Sequence, residues 1–337
     1  MSATAAVSPG TESRADLAWL VDHLREIESR MNPDIVTPLS GVRLTAADHV
    51  KVPGLSGDHA LTEWSRTQLA KLVGLASWDR WFAGAEDTER AEVMNQRLAW
   101  ATGNVRIRTV KTETGSEVKG AVRAIVSPEY SPVSDVALAS TIEEALHGVE
   151  NDLRLLRTDV SDLSTTFVIA LGKPFGAAPK EVGLVHVALL VRNSQVGFSR
   201  LIANLYLLRL VCTNGMTCPS AAPLVRAVHR HIDLSRIRER LSAGLRDIPA
   251  KLHRGVRVLE ESLEDRVENV EDHVRDVLRE ARLPLKLAAP VMASYAREPH
   301  ASRFGVVQAL TLAAQSESPE VRDTLERAAT RYVEARA

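Results

Sequence analysis

The chain has 337 residues, enough for one large domain or two medium ones, and its 45% hydrophobic and 25% charged residues are ordinary for a packed globular protein. With 42 basic against 43 acidic residues the net charge is −1, which excludes a global field drawing the whole chain to nucleic acid or membrane and leaves only local patches. Its two cysteines, Cys212 and Cys218, exclude a disulfide framework and point to a reducing cytoplasmic setting.

Residues 1–13 read as a mobile tail without the basic and apolar segments of a secretory signal. Leu17, Leu20, Val21, Leu24 and Ile27 then recur at helical spacing. Residues 31–60 contain three prolines and three glycines and read as loop with one short strand at most. Leu61, Trp64, Leu69, Leu72 and Val73 share a helical face. A further helix is expected from Asp87 to Thr102, with Val93, Leu98 and Trp100 inward and Gly103 as its stop. The first hundred residues are thus expected to be mainly helical.

The period then changes to two. Residues 104–111 and 118–126 alternate apolar and polar side chains around Thr114-Gly-Ser116, which predicts a β-hairpin. Ser134 is positioned to cap a helix running to about Gly148. Strands are expected at 153–158, 165–171 and 185–191, followed by a loop over 192–198. Residues 199–212 read as extended structure or a buried helix, and we favour the extended form. The apolar run 182–211 is interrupted by Arg192, Asn193, Arg200 and Arg209, so it does not read as a membrane span. From Ala221 the chain reads as helical to its end. Leu259, Leu263, Val267, Val270, Val274 and Val277 form a heptad-like seam. It belongs either to one long helix packed on its own domain or to an oligomer-forming coiled coil. Phe304 to Val333 is expected to be a final helical pair.

The predicted fold class is α+β, with an antiparallel sheet core between helical N- and C-terminal regions. The expected divisions are a tail, helix and loop over 1–60, a helical part over 61–103, an α+β core over 104–220 and a helical region over 221–337.

The hairpin carries Arg106, Arg108, Lys111, Lys119 and Arg123. Residues two apart face the same side of a strand, so Arg106 and Arg108 would form a guanidinium row suited to a phosphate backbone, or solvated charges protecting a sheet edge. Arg226, Arg230, Arg236, Arg238 and Arg240 stand against Asp233 and Glu239 and form the most basic stretch. The spacing C-x5-C-x10-H-x-H through Cys212, Cys218, His229 and His231 is wider than structural zinc sites use, and no metal is expected. Neither a phosphate loop, a dinucleotide fingerprint nor a nucleophile elbow is present, so no cofactor is expected. Arg123, Ser127, Tyr130, Asn193, Ser194, Arg209 and Asn214 form a polar group that either lines an enzyme pocket or holds loops through backbone hydrogen bonds.

Several segments together resemble one family. They are Leu61-Thr-Glu-Trp-Ser-Arg-Thr-Gln-Leu-Ala-Lys-Leu-Val-Gly74, Val122-Arg-Ala-Ile-Val-Ser-Pro-Glu-Tyr130, Val191-Arg-Asn-Ser-Gln-Val-Gly197, Leu208-Arg-Leu-Val-Cys-Thr-Asn-Gly-Met216 and Phe304-Gly-Val-Val-Gln-Ala-Leu-Thr311. In this order, over about residues 60–315, they resemble the phage/plasmid-like proteins of domain of unknown function 932, with Gln308 where the family has Asn. The resemblance implies mobile-element origin and a fold similar to single-strand annealing proteins of recombination. With the basic segments it implies a non-catalytic, homo-oligomeric, single-stranded-DNA-binding protein. Its phosphate contacts would be Arg106, Arg108, Lys111, Arg123, Arg209, Arg226, Arg230 and Arg236. The alternative is an enzyme built on Arg123, Tyr130, Asn193 and Asn214.

Overall fold

The structure, a computed structural model, describes residues 17–77, 82–114, 117–147, 153–173, 175–177, 183–209, 218–219, 223–246 and 248–335. The expected N-terminal tail, the hairpin turn at 115–116, Cys212 and Asn214 lie outside the described residues.

Alternating side chains at 104–126 do form a hairpin, β5 (Asn104–Thr114) and β6 (Glu117–Val126). It does not stand alone. The stretch expected to be loop supplies β1 (Ile35–Pro38), β2 (Arg43–Ala46), β3 (His49–Lys51) and β4 (His59–Leu61). These build a six-stranded sheet in the order β1-β5-β6-β4-β3-β2. Its neighbours are antiparallel except the parallel pair β4–β6. The described part of the first hundred residues therefore adds four short strands to its three helices: strands of three or four residues carry too little periodicity to stand out between prolines and glycines.

One face of this sheet is covered by α2 (Glu63–Leu72) and α3 (Asp87–Ala99). Leu69, Met94 and Leu98 pack there against Val105, Ile107, Val122 and Ile125. Asn95 of α3 donates to the Leu44 carbonyl at 2.9 Å and accepts from its N–H at 2.8 Å, so an amide side chain completes the edge strand β2 as a neighbouring strand would. Trp100, expected inward, is 86% exposed, because α3 ends at Ala99.

The second sheet contains β7 (Leu153–Val160), β8 (Thr165–Leu171), β9 (Phe175–Ala177), β10 (Gly183–Asn193), β11 (Leu201–Arg209), β12 (Cys218–Pro219) and β13 (Val225–Ala227). Its described pairs are all antiparallel, around the ladder β7-β8-β10-β11. The stretch left open between strand and helix is thus a strand, β11. Both faces of this sheet are covered, which explains the near-continuous apolar runs of β8 and β10. Phe167, Ile169, Val187, Leu189, Val191, Leu201 and Ala203 belong to the large core shared with α1 (Leu17–Glu28), α4 (Asp135–Leu146) and α5 (Leu234–Leu245). Val168, Ala188, Leu190 and Tyr206 face the other way.

The C-terminal helices are α6 (Ile248–Glu264), α7 (Val270–Glu280), α8 (Ala288–Tyr295), α9 (Arg303–Ala314) and α10 (Pro319–Glu334). The heptad-like seam does not lie on one helix. The chain breaks at 265–269, where Asn269 accepts from the N–H groups of Glu271 and Asp272 at 3.1 and 3.3 Å and starts α7 afresh. All six seam residues are buried in the large core, so the seam packs inside this chain and offers no coiled-coil surface. Helix α9 is buried over every position from Arg303 to Thr311, as its apolar circumference requires. Helix α10 lies on the second face of the second sheet and is held by ion pairs. Arg157 bonds Glu326 at 2.7 Å, Arg322 bonds both oxygens of Asp159 at 2.8 and 3.0 Å, and Arg192 bonds Asp323. Among the described residues, no helix is long and apolar enough to cross a membrane.

Candidate functional site

The loop after β10 is where the two sheets meet. Its Val196 carbonyl accepts from Trp64 Nε1 and Gln68 Nε2, both at 2.9 Å, and Gln68 Oε1 accepts from the Ile125 N–H at 2.9 Å. Tyr130 donates its hydroxyl to the Ser194 carbonyl at 2.6 Å and accepts from the Gly197 N–H at 3.1 Å. Gly197 has φ +77, a conformation that side chains rarely take. Ser194 Oγ donates to the Leu163 carbonyl at 2.7 Å and accepts from the Phe198 N–H at 3.0 Å. Burial pushes the Tyr130 phenol well above its usual range, so it stays a donor.

Beneath the loop lies a buried carboxylate network. Ser134 caps α4 as expected, accepting from the Ala137 N–H at 3.1 Å. Its hydroxyl donates to Glu28 Oε2 at 2.7 Å, and Glu28 Oε1 accepts from the Asp135 N–H at 2.6 Å. A carboxylate at the end of α1 thus sits on the positive end of α4, where charge and unpaired N–H groups favour it. Asp135 points inward and accepts three hydrogen bonds, from Asn193 Nδ2 at 2.7 Å, Thr165 Oγ1 at 2.8 Å and Gln195 Nε2 at 2.9 Å. Burial is the largest influence on it and raises its pKa against the pull of those bonds. Gln195 Nε2 also donates to Glu28 Oε1 at 2.8 Å and ties the two acids together.

Asn193 fixes the state of His229. Its Nδ2 donates to the Val133 carbonyl at 2.8 Å and to Asp135, both acceptors, so its Oδ1 must accept from His229 Nε2 at 2.7 Å. His229 therefore carries a proton on Nε2. Burial, then the nearby Arg108 charge, lower its pKa to about 4. Its ring stacks on Tyr130 at 5.2 Å.

The hairpin arginines share one side, as expected, but they do not protect a sheet edge. Strand β5 lies between β1 and β6, so it is no edge. Arg108 Nε donates to Asp34 at 2.9 Å, and its fork reaches the Gln195 carbonyl. Arg106 donates to the Pro128 carbonyl at 2.8 Å and pairs with Asp34 at 3.5 Å. Arg108 thus links the first sheet to the loop after β10, Arg106 braces Asp34 and the turn after β6, and only 27% of the Arg106 and 12% of the Arg108 side chain remain accessible. Lys111 is exposed farther along β5. The Arg209 backbone closes β11, and its side chain lies outside the described residues, as does Asn214.

Arg230, on the turn after β13, and Arg236 and Arg240, on α5, are brought to one cleft, while Arg226 on β13 does not line it. Arg230, His231, Arg236 and Arg240 line an open cleft of about 570 Å³. Arg230 pairs with Glu129, and Arg236 lies 3.6 Å from Asp233. Arg226 and Arg240 form no ion pair with any described residue. All five side chains are exposed.

The polar group expected to line one pocket divides. Tyr130, Asn193 and Ser194 are consumed by the junction, while Ser127 is exposed in a turn and accepts from the Glu129 N–H at 3.3 Å. Arg123 lines a cleft that borders Asp135 and Gln195 of the carboxylate network. Glu28, Asp34, Asp135 and Gln195 were not anticipated; the capping position of Ser134 and the polar loop around Asn193 were the only local signals for them. Among the described residues, no group of three or more His, Cys, Asp or Glu side chains is placed to hold a metal ion. No family model, no curated protein and no solved structure matches the chain.

Proposed function

We propose that this chain binds the phosphate backbone of single-stranded nucleic acid in the β13–α5 cleft and performs no catalysis there. One observation carries the reading: Arg230, Arg236, Arg240 and His231 are exposed around a single open cleft in a chain of net charge −1. Exposed ion pairs are worth roughly 0–1 kcal/mol, so phosphates can displace Glu129 and Asp233 from their arginines at small cost. Forked guanidiniums suit phosphate, and an open groove suits a flexible strand of any sequence. The ordered motifs resembling phage/plasmid-like proteins support the same reading and a place in the cytoplasm. In this account Arg108 ties the first sheet to the loop after β10, Arg106 braces the turn after β6, and phosphate contact is left to the cleft. The homo-oligomer that the resemblance implies would assemble through a surface other than the buried seam.

Fluorescence anisotropy with labelled single-stranded DNA at low salt tests this. Binding at roughly micromolar protein is expected, a strength typical of sequence-independent contacts. It should be lost in a variant carrying Arg230→Ala, Arg236→Ala and Arg240→Ala. Absence of binding by the unaltered chain, or full binding by the folded triple variant, would overturn the proposal.

A further inference from the structure

A second cleft, of about 290 Å³, opens between α1, the hairpin and the turn joining β7 to β8. Arg123 reaches it through a β-bulge. In the hairpin register Arg108 opposes Ala124 and Thr109 opposes Val122, which leaves Arg123 as the extra residue without a partner. Bulges redirect side chains and recur beside binding sites. Here the bulge breaks the alternation of β6, so that Val122 and Ile125 share one core while Ala124 and Val126 share another.

The redirected guanidinium is poorly satisfied. It has five N–H donors. Its partners among the described residues are the Met31 thioether at 2.8 Å, a weak acceptor, and the Asp162 carbonyl at 3.5 Å. It forms no ion pair with any described carboxylate. Burial, then the neighbouring Arg108, lower its pKa against the opposing pull of the Asp162, Asp135 and Glu28 carboxylates. A half-buried cation under that penalty is stabilised by an incoming anion. Met31, Val110 and Val160 supply apolar lining to the cleft, Met31 directly beside the guanidinium.

We propose that this cleft binds a small monocarboxylate, with its carboxylate on the Arg123 fork and its apolar body against Met31, Val110 and Val160. A planar carboxylate matches a guanidinium through two parallel hydrogen bonds. Asp135 and Asp162 also line the cleft and repel a doubly charged phosphate more than a single charge. The volume is at the small end for ligand sites, which limits the body to a few carbons or one ring.

Saturation-transfer NMR tests this with benzoate as the probe, benzyl alcohol as its uncharged counterpart and inorganic phosphate as a competitor. Transfer to benzoate is expected with the unaltered chain, and none to benzyl alcohol. Arg123→Gln should weaken benzoate about tenfold or more, since charge-assisted hydrogen bonds are lost. Val160→Trp fills the apolar wall, leaves the guanidinium in place and should abolish the signal. Thermal unfolding identifies which variants are folded, and either one suffices. Absence of transfer to benzoate, equal transfer in a folded variant, or displacement by equimolar phosphate would overturn the proposal. The site is separate from the β13–α5 cleft, so benzoate should leave DNA binding unchanged whichever reading fails.

Discussion

Acidification from pH 6.5 towards 4 should destabilise the fold through His229, whose pKa falls from 6.5 to about 4 on burial. Above that window the ring is neutral in both the folded and unfolded states and contributes no pH dependence. Within it the unfolded chain takes up a proton that the native ring refuses, so stability falls as pH falls and levels off below about 4. The refusal has a structural cause. A second ring proton would place a charge in a buried site facing Arg108, against Tyr130, with Nε2 already committed to Asn193. At 1.36 kcal/mol per unit the shift amounts to roughly 3 kcal/mol, and residual solvation of the ring reduces this to about 2 kcal/mol. Asp135 acts with the opposite sign: its raised pKa means that the cost of its charge is relieved as pH falls through that value. Comparison with His229→Gln isolates the histidine, because Gln retains a donor for Asn193 but cannot titrate. Urea unfolding of both proteins at neutral pH and at about pH 4.5, with equal m-values, provides the measurement. The variant should lose about 2 kcal/mol less than the unaltered chain on acidification. Equal losses would refute both the neutral tautomer and the network that fixes it.

Three substitutions test the packing. Arg322→Ala strips Asp159 of a partner bonded at both oxygens and uncaps the Ala314 and Gln315 carbonyls at the end of α9. A chemical-denaturation curve should show a loss of about 3–5 kcal/mol, as for other broken buried pairs; a loss under 1 kcal/mol would deny that α10 is clamped by charge. Leu259→Ala, at a seam position only 2% exposed, should cost about 2–5 kcal/mol while light scattering reports an unchanged mass. Gly305→Ala would set a methyl 1.9 Å from the His300 carbonyl oxygen, a backbone atom, so a markedly lower thermal midpoint is expected.

The elements legible in the sequence were those with sustained period. The hairpin, β7, β8, β10 and the closing helical pair each run for seven residues or more. Strands β1 to β4 were hidden by their brevity and by Pro33, Pro38, Gly41, Pro53, Gly54 and Gly57 around them. The apolar spacing of 259–277 survives the break at Asn269 because α6 and α7 pack into the same core, so periodicity alone reports one helix where there are two. Asn269 before Val-Glu-Asp was the available sign of a new start. At the junction, Tyr130, Asn193 and Ser194 could be picked out because they cluster in loops. Their partners could not: Glu28 is 107 positions from Asp135 and 167 from Gln195, and an isolated acid carries no sign of such a distant contact. The hairpin arginines were legible as a row, but their surroundings depend on Asp34 and Gln195, which only the tertiary fold brings near.

The salt dependence of single-stranded DNA binding tests the central claim most directly. Each arginine that neutralises a phosphate contributes about 0.7 to the slope of log K against log salt on a single strand. Removing Arg230, Arg236 and Arg240 together should therefore flatten the slope by about 2. A slope unchanged in the folded triple variant would contradict the assignment of phosphate contact to the β13–α5 cleft.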